Sequence, residues 1–346
     1  MKAFLTSLLF ICFTNQIISQ NLSNISFGTD STFEVVSWNI EWFPKNGQTT
    51  ANYVQTILTN LQADVYALQE IDDTTLLKQV VNNIPGYECY FKSDWFSGLA
   101  YVYNANKVQV NRKYEIYSAS QYWNAFPRSP QVLELNFMNE DYVIIDNHFK
   151  CCGDGIINQN DPTDEEFRRL TAVTLLKQYI DSIFSNDKVI VVGDLNDILT
   201  DAPINNVFQT LIDDTVNYVF ADMQIAQGSN NDWSYPSWPS HLDHFMITNE
   251  IFNDFSKPNS EIRTIKVDDY MSNWYTYENN ISDHRPVGLK LEMDSVIISS
   301  TILTNPSEKK LLKIIDVLGQ ETKGNKNELL FYIYDNGTLE KKLIIE

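Results

Sequence analysis

Four histidines are the side chains best suited to proton transfer in this chain, and each lies beside acidic or polar residues. His148 ends an apolar run, His241 and His244 flank Asp243, and His284 follows an aspartate. Because a histidine titrates near neutral pH, it can give or take a proton during hydrolysis. A single histidine is more often structural, but four in such surroundings favour catalysis.

Carboxylate and amide side chains follow three apolar runs, where buried strands are expected to end. Asn39 lies near the end of the first run, Glu70 ends the second, and Asp194 with Asn196 follow the third. Each of them could simply begin a turn or cap a helix. Together with the histidines they predict an oxygen-rich site for Mg²⁺ or Mn²⁺, with Ca²⁺ as an alternative, in preference to zinc.

The elements that would position these side chains are predicted from hydrophobic periodicity. Seven apolar runs predict strands at 33–40, 64–69, 99–103, 132–137, 142–146, 188–192 and 243–248. Apolar residues at helical spacing predict helices over 54–61 and 167–183, and acidic residues at 164–166 suit the start of the second helix. Strands mixed with helices in this way indicate an α/β fold in which helices cover sheets.

The formal net charge of −20 is informative about possible partners. It argues against a protein that grips nucleic acid through a broad basic surface. It is compatible with a nuclease, because an acidic metal site attracts the cations that then meet the phosphate. The acidity could equally serve solubility.

The first 19 residues predict an export signal. Lys2 supplies the charged start, residues 3–13 are mostly apolar, and the small Ser19 suits a cleavage position. A membrane anchor is the weaker interpretation, because the apolar stretch is shorter than a bilayer requires. No later segment is long and apolar enough to span a membrane, so we expect an exported, soluble monomer.

Of the four cysteines, Cys12 would leave with the signal. Cys89, Cys151 and Cys152 would remain, and an odd number cannot all pair within one chain. A disulfide bond between Cys151 and Cys152, or from one of them to Cys89, would stabilise the fold. The sequence leaves this pairing open.

The order of the motifs resembles the endonuclease/exonuclease/phosphatase (deoxyribonuclease I-like) superfamily, which includes pancreatic deoxyribonuclease, abasic-site endonucleases, sphingomyelinases and inositol-polyphosphate phosphatases. The resemblance spans residues 31–293 and rests on six short segments. These are Trp38-Asn39-Ile40, Leu68-Gln69-Glu70, His148, Gly193-Asp194-Leu195-Asn196-Asp197, Leu242-Asp243-His244 and Ser282-Asp283-His284-Arg285-Pro286. The superfamily implies a four-layered α/β sandwich, in which two facing mixed sheets are covered by helices and the site lies at one rim.

The resemblance also implies a set of metal ligands. Glu70 is the expected principal ligand, supported by Asn39 and Asp283. Arg128, which also fits a recurrent feature of the superfamily, and Lys150 are the candidate contacts to the substrate phosphate, and Arg168 and Arg169 are further candidates. For each of them alone, solvated surface charge is the favoured interpretation.

The same resemblance implies the catalytic roles. Asp194 and Asn196 are expected to hold the attacking water and the phosphate. His284 would activate the water or contact the phosphate, with Asp243 as the carboxylate that orients it. His148 would be the general acid for the leaving oxygen, and the sequence offers no carboxylate to orient it. Trp42, Trp123, Trp233 and Trp238 could stack on bases or line the rim, although core packing is the favoured interpretation for most of them.

The tail differs from the rest of the chain. Residues 295–304 are rich in Ser and Thr and predict a linker, and residues 305–346 contain Asp335-Asn336-Gly337, a hairpin turn signal. This layout resembles the C-terminal sorting domain of bacterial type IX secretion, which implies the type IX machinery as a partner and an extracellular or cell-surface location. The alternative is a small all-β accessory module.

These observations predict a secreted, divalent-metal-dependent phosphodiesterase. The expected substrate is nucleic acid, and we expect an endonuclease that hydrolyses DNA, with RNA as a second substrate. A sphingomyelinase or small-phosphoester phosphatase of the same superfamily is the alternative, because fold alone does not decide the substrate. A non-catalytic, surface-anchored binding protein is the third hypothesis, and the intact set of acidic residues and histidines argues against it.

Overall fold

The computed structural model describes residues 21–92, 98–293, 310–317, 319–323, 329–335 and 337–343. The chain divides into two units, Met1–Asp294 and Ser295–Glu346. The predicted export signal and the predicted linker lie outside the described residues and stay predictions. None of the helices that the structure describes is both long and apolar enough to cross a membrane.

Two six-stranded mixed sheets form the centre of the first unit. Their strands are β1 (Thr32–Phe43), β2 (Val65–Ile71), β3 (Tyr87–Tyr90), β4 (Gly98–Asn104), β5 (Val108–Glu115), β6 (Gln131–Phe137), β7 (Glu140–His148), β8 (Lys188–Asp194), β9 (Tyr218–Phe220), β10 (Asp243–Thr248), β11 (Glu261–Thr264) and β12 (Val287–Glu292). The strand orders are β11-β12-β1-β2-β4-β3 and β5-β6-β7-β8-β10-β9. Each sheet has one parallel pair, β1 with β2 and β7 with β8, and its other neighbours run antiparallel.

Helices cover the outer faces of the sheets. They are α1 (Gly47–Leu61), α2 (Thr74–Asn82), α3 (Glu165–Ile183), α4 (Gln209–Ile212), α5 (Met223–Ala226), α6 (Asn249–Phe255) and α7 (Trp274–Asn280). Short 3₁₀ helices lie at Leu22–Asn24, Ser120–Tyr122, Asn230–Asp232 and Val267–Tyr270. The helix α3 begins where the charge pattern predicts, because the Asp164 carboxylate accepts from the Phe167 N–H at 2.7 Å.

Strand alternation divides the apolar side chains among three cores. On β1, Val35 packs between the two sheets, whereas Val36 packs under α1 and α2. On β8, Ile190 lies between the sheets and Val191 packs under α3. Successive side chains of a strand point to opposite faces, so each sheet is buried on both sides. The predicted four-layered α/β sandwich is therefore confirmed.

The second unit contains a small three-stranded antiparallel sheet in the order β13-β14-β15, formed by β13 (Leu311–Ile315), β14 (Leu329–Tyr334) and β15 (Leu339–Leu343). The predicted hairpin turn joins β14 to β15, where Gly337 has a φ of 81° and its N–H donates to the Tyr334 carbonyl at 3.1 Å. Asn336 of this turn lies outside the described residues. The predicted small all-β module is present.

A buried pair of carboxyl groups lies at the start of β1 and β2. The Glu34 N–H donates to Asp64 Oδ2 at 3.0 Å, and both side chains are fully buried. Lys107 Nζ is 3.7 Å from Asp64 Oδ1. Burial, together with the hydrogen bond and charge of Glu34, raises the pKa of Asp64 to about 9.

This pKa predicts how stability depends on pH. The folded state holds a proton that the unfolded chain releases near pH 4, so the free energy of unfolding falls as pH rises from about 4 to about 9. Asp64→Asn supplies permanent N–H donors in place of that proton, so it should flatten this fall and stabilise the protein above pH 7. Urea unfolding at pH 5 to 9 measures the difference between variant and parent. A constant difference across this range would show that the pair does not hold the proton.

Candidate active site

Strand alternation and register place four candidate side chains at one rim of the gap between the sheets. Asn39 lies on the same face of β1 as Val35, which packs between the sheets. In the second sheet His148 pairs with Asp194, and Asp194 pairs with Asp243, so the three stand side by side on β7, β8 and β10. Laterally paired residues point to the same face, so these three side chains face the rim together.

The glycine before Asp194 allows β7 and β8 to approach at this point. Gly193 has a φ of 133°, and a Cβ atom there would lie 1.9 Å from the Asn147 carbonyl oxygen. Any side chain would force the strands apart and would strain the backbone. The Gly-Asp pair of the motif is therefore a packing requirement of the site.

Asn39 connects the two sheets across the rim. Its Nδ2 donates to Glu70 Oε1 at 3.2 Å and to Asp194 Oδ2 at 2.9 Å. Glu70 has a positive φ of 61° at an irregularity in the pairing of β2, which redirects its side chain from the helix-facing side. The Trp42 N–H holds the other oxygen of Glu70 at 3.1 Å. In this geometry Asn39 Oδ1 accepts from the Glu41 N–H at 2.9 Å, and its role as a metal ligand stays a prediction.

His284 and Asp243 form a close buried pair. His284 Nδ1 donates to Asp243 Oδ2 at 2.7 Å, and its Nε2 lies 3.7 Å from Asp194 Oδ2. Burial would lower the pKa of His284, but the charges of Asp243 and Asp194 outweigh it and raise the pKa well above its usual value. Tyr235 packs against the imidazole, with ring centres 4.8 Å apart. The arrangement holds a proton-bearing Nε2 at the rim, as in a histidine–aspartate pair.

His148 has the opposite electrostatic setting. Its Nε2 is 3.5 Å from Asp194 Oδ2 and 3.7 Å from Glu70 Oε1. Burial, and then the positive charges of Arg128 and His284, lower the pKa of His148 well below its usual value. Within the described residues its buried Nδ1 has no hydrogen-bond partner, so no carboxylate orients this ring. The predicted role of His148 as general acid stays a prediction.

A cluster of carboxylates faces the same space and fits a divalent cation. Glu41, Glu70, Asp194 and Asp283 all line one cleft. Burial raises the pKa of Glu41 and Glu70, and it raises that of Asp194 to about 7. Buried like charges are costly unless a cation compensates them, and carboxylate oxygens are the ligands of hard divalent ions. Asp194, Asp243 and His284 also each offer an atom within 4.8 Å of the others.

Glu41 is a site residue that the sequence analysis missed. Its carboxylate accepts from the Asp283 N–H at 2.8 Å and pairs with Lys45. It follows Asn39 by two positions, so its place at the end of the first apolar run was the available signal. The positive φ values of Glu41 and Trp42, which bring its carboxylate to the cleft, have no sequence signature.

The cleft has a volume of about 580 Å³. Trp42 and Trp238 lie on its lining, and 59% and 78% of their surfaces are exposed. Trp123 is also exposed, so the expectation of core packing for most of these tryptophans was wrong. Large exposed aromatics beside an acidic cleft are suited to stacking on planar ligand groups.

The geometry can be compared with known proteins. The sequence profile described as Endonuclease/Exonuclease/phosphatase family matches residues 36–284. The chain belongs to this family. The predicted superfamily and fold are thus confirmed, and members of the family are metal-using hydrolases of phosphodiester bonds. No curated protein matches the sequence.

Several solved structures share the fold at low sequence identity. D. rerio TDP2 complexed with single-strand DNA product is 14% identical, with a TM-score of 0.57 over 76% of this chain and 100% of that one. The human Nocturnin catalytic domain with bound sulfate is 16% identical, with a TM-score of 0.55 over 75% and 94%. A Bacteroides vulgatus member of the family is 14% identical, with a TM-score of 0.54 over 76% and 99%.

The structure separates the candidate phosphate contacts. Arg128 lines a separate pocket with Trp123 and Gln131, and its charge acts to lower the pKa of both Glu70 and His148. Lys150 Nζ instead donates to the Cys151 carbonyl at 2.9 Å, and Lys150 is not among the residues that line the cleft. The substrate contacts predicted for both residues stay predictions.

A second histidine cluster lies on the opposite face of β10. Asp222 Oδ2 accepts from His241 Nε2 at 3.0 Å and from His244 Nδ1 at 2.6 Å, and His244 Nε2 donates to the Asp197 carbonyl at 2.8 Å. Burial would lower the pKa of His244, but the charge of Asp222 outweighs it and raises the pKa. Two donating nitrogens make His244 a buried imidazolium. These atoms form a closed hydrogen-bond network, and Asp222 was missed because it lies in no motif.

Removing the anion of this network should destabilise the fold. Asp222→Asn leaves the His244 imidazolium without its counter-charge, so we expect a loss of about 3–5 kcal/mol in the free energy of unfolding. Urea unfolding followed by circular dichroism measures the loss. The matched control is Asp213→Asn at an exposed position, which should change stability little. Equal stability of both variants would contradict the imidazolium assignment.

Proposed function

We propose that this protein is a secreted, divalent-metal-dependent endonuclease that hydrolyses DNA, with RNA as a second substrate. The observation that carries the proposal is the convergence of Glu70, Asp194 and the His284–Asp243 pair at one rim of the two sheets. Phosphodiester hydrolysis needs an aligned water, compensation of charge on the phosphate oxygens and a proton for the leaving oxygen.

Each requirement has a candidate group at the rim. Glu70 and Asp283 would hold the cation with Asn39 beside them, and a bound divalent ion compensates charge on the phosphate oxygens. Asp194, held by the Asn39 amide at 2.9 Å and the Asn196 N–H at 3.1 Å, is placed to orient water and accept its proton. His284 Nε2 is placed to hydrogen-bond a phosphate oxygen, with its ring fixed by an aspartate as in other hydrolases.

Nucleic acid is the substrate class that the cleft favours. Trp42 and Trp238 expose most of their surface on the cleft, and base–aromatic stacking contributes about 1–3 kcal/mol per base. The neighbouring structure of D. rerio TDP2 with single-strand DNA product supports the same class. A net charge of −20 implies binding that depends on the cleft and its cation instead of a basic surface.

The proposal predicts that the protein cleaves DNA only when a divalent metal ion is present. The purified full chain should nick plasmid DNA with Mg²⁺ or Mn²⁺, and a chelator should abolish the activity. Asp194→Asn and His284→Ala should each lower kcat/KM on the order of 10²–10³-fold, because each removes a group that contacts the reacting atoms. The control Asp141→Asn, at the opposite end of β7 from His148, should keep full activity.

The same assay separates the alternatives. RNA, sphingomyelin and bis-p-nitrophenyl phosphate are tested beside plasmid DNA, with Mg²⁺, Mn²⁺, Ca²⁺ or chelator. If sphingomyelin is cleaved and DNA stays intact, the protein is still a phosphodiesterase, but its substrate is a lipid and not DNA. If a folded preparation cleaves none of these substrates with any ion, the endonuclease proposal is wrong and a binding protein becomes the favoured hypothesis.

We also propose that residues 305–346 act as a type IX secretion signal and that the protein works outside the cell or on its surface. The small antiparallel sheet, described apart from the catalytic unit, supports this proposal together with the export-like start of the sequence. In a bacterium with type IX secretion, the full chain should reach the medium or surface, whereas a variant that ends at residue 304 should stay in the periplasm. Immunoblots of cell fractions measure this, and equal export of both forms would exclude the signal.

A further inference from the structure

Two adjacent cysteines lie on the lining of the cleft. Cys151 and Cys152 are both exposed, and neither is in a disulfide. Their sulfur atoms are 2.9 Å apart, and the Cys152 thiol donates to Cys151 Sγ. A disulfide bond length is about 2.05 Å, so the two sulfurs need to approach by only about 0.9 Å to bond.

The backbone around the cysteines is held by a buried arginine. Arg169 is 3% exposed, and its Nη1 donates to the Lys150 and Cys152 carbonyls at 2.7 and 2.8 Å. Its Nε donates to Asp197 Oδ2 at 2.8 Å. Cys152 has a positive φ of 72°, which turns its side chain toward that of Cys151. The proximity of the two thiols is therefore imposed by buried contacts.

The surroundings favour Cys151 as the sulfur that reacts first. Its Sγ accepts from the Cys152 thiol and lies 3.6 Å from Lys150 Nζ. A nearby ammonium group stabilises a thiolate, which is the reactive form of cysteine. The hydrogen bond to Cys151, followed by burial, raises the pKa of Cys152 and favours its role as the proton donor of the pair.

We propose that Cys151 and Cys152 are a reversible redox modification site that closes to a vicinal disulfide and lowers the activity of the cleft. The oxidant is a low-molecular-weight disulfide. The Cys151 thiolate attacks one sulfur of the oxidant, forms a mixed disulfide and releases one thiolate. The Cys152 thiolate then attacks the Cys151 sulfur and releases the second thiolate, so one oxidant becomes two thiols while the protein loses two hydrogen atoms.

The effect on activity rests on the proposed function and follows from the loop's contacts. Asn196 Nδ2 donates to the Phe149 carbonyl at 3.3 Å, and the Phe149 N–H donates to the Asp194 carbonyl at 3.0 Å. Closing the ring turns the peptide between the cysteines, which pulls on the carbonyls that Arg169 holds. The movement reaches Asn196 and Asp194 through these bonds, and small displacements of catalytic groups reduce rates steeply.

The covalent step is tested without reference to activity. Fully reduced protein is incubated with oxidised glutathione, quenched with acid and analysed by peptide mass spectrometry. The expected product is a peptide with both cysteines, lighter by two hydrogen atoms, that dithiothreitol restores. Cys151→Ser and Cys152→Ser should instead stop as glutathione adducts or remain reduced. The proposal would be overturned if the mass of the parent peptide did not change, or if the peptide carried two glutathione adducts.

The regulatory step is tested on the same samples with the phosphodiester substrate that the reduced protein cleaves. Oxidation should lower kcat/KM on the order of tenfold, with full recovery after dithiothreitol. The double variant Cys151→Ser/Cys152→Ser can form neither the disulfide nor an adduct at this position, so it should be insensitive, whereas the control Cys89→Ser, on β3, should respond like the parent. Unchanged activity of the fully oxidised parent would overturn the regulatory role. If the reduced protein cleaves nothing, the proposed function fails while the mass measurement still decides the disulfide.

Discussion

Crowding of negative charge at the rim of the sheets is the constraint on which the site depends. Asp194 is fully buried within reach of Glu70 and Asp243, and such a group would normally lose its charge. Two groups donate hydrogen bonds to Asp194, the Asn39 amide and the Asn196 N–H, and the His284 ring lies 3.7 Å away as a nearby positive charge. These contacts make the rim a place where a cation and a polarised phosphate are favourable. The same carboxylates on a convex surface would be screened by water and would have little catalytic value.

The alternation of side chains along each strand explains why some histidines lie at the rim and others lie in the second cluster. Asp243 and His244 are adjacent, so one faces the gap between the sheets and the other faces the outer helices. The inward residue belongs to the rim, whereas His244 is a buried cation within a closed network. His148 and His284, in contrast, both present Nε2 toward Asp194. Similar local sequences thus give two groups with unrelated purposes.

Much of this arrangement could be predicted from sequence, and the exceptions have physical causes. The seven apolar runs form strands, and Glu70, His148 and Asp194 lie at or near strand ends, as the motifs indicate. The alternation of side chains along a strand does not predict the direction of Glu70, because its positive φ turns the side chain to the other face. Asp222 could not be found, because its partners come from a distant loop and strand. The substrate contact of Lys150 stays a prediction, because the orientation of an exposed lysine, here toward a loop carbonyl, is not set by the sequence.

The guanidinium of Arg169 has a consequence for how mutations in this protein will be interpreted. Its donors reach Asp197, Glu166 and two loop carbonyls at once, a planar fork that a lysine cannot reproduce. It is not among the residues that line the cleft, yet it fixes both the loop beside the cleft and the segment after Asp194. A saturation screen scored by activity would therefore rank Arg169 with the reacting residues. Only a parallel screen for folded abundance would reveal it as an architectural residue.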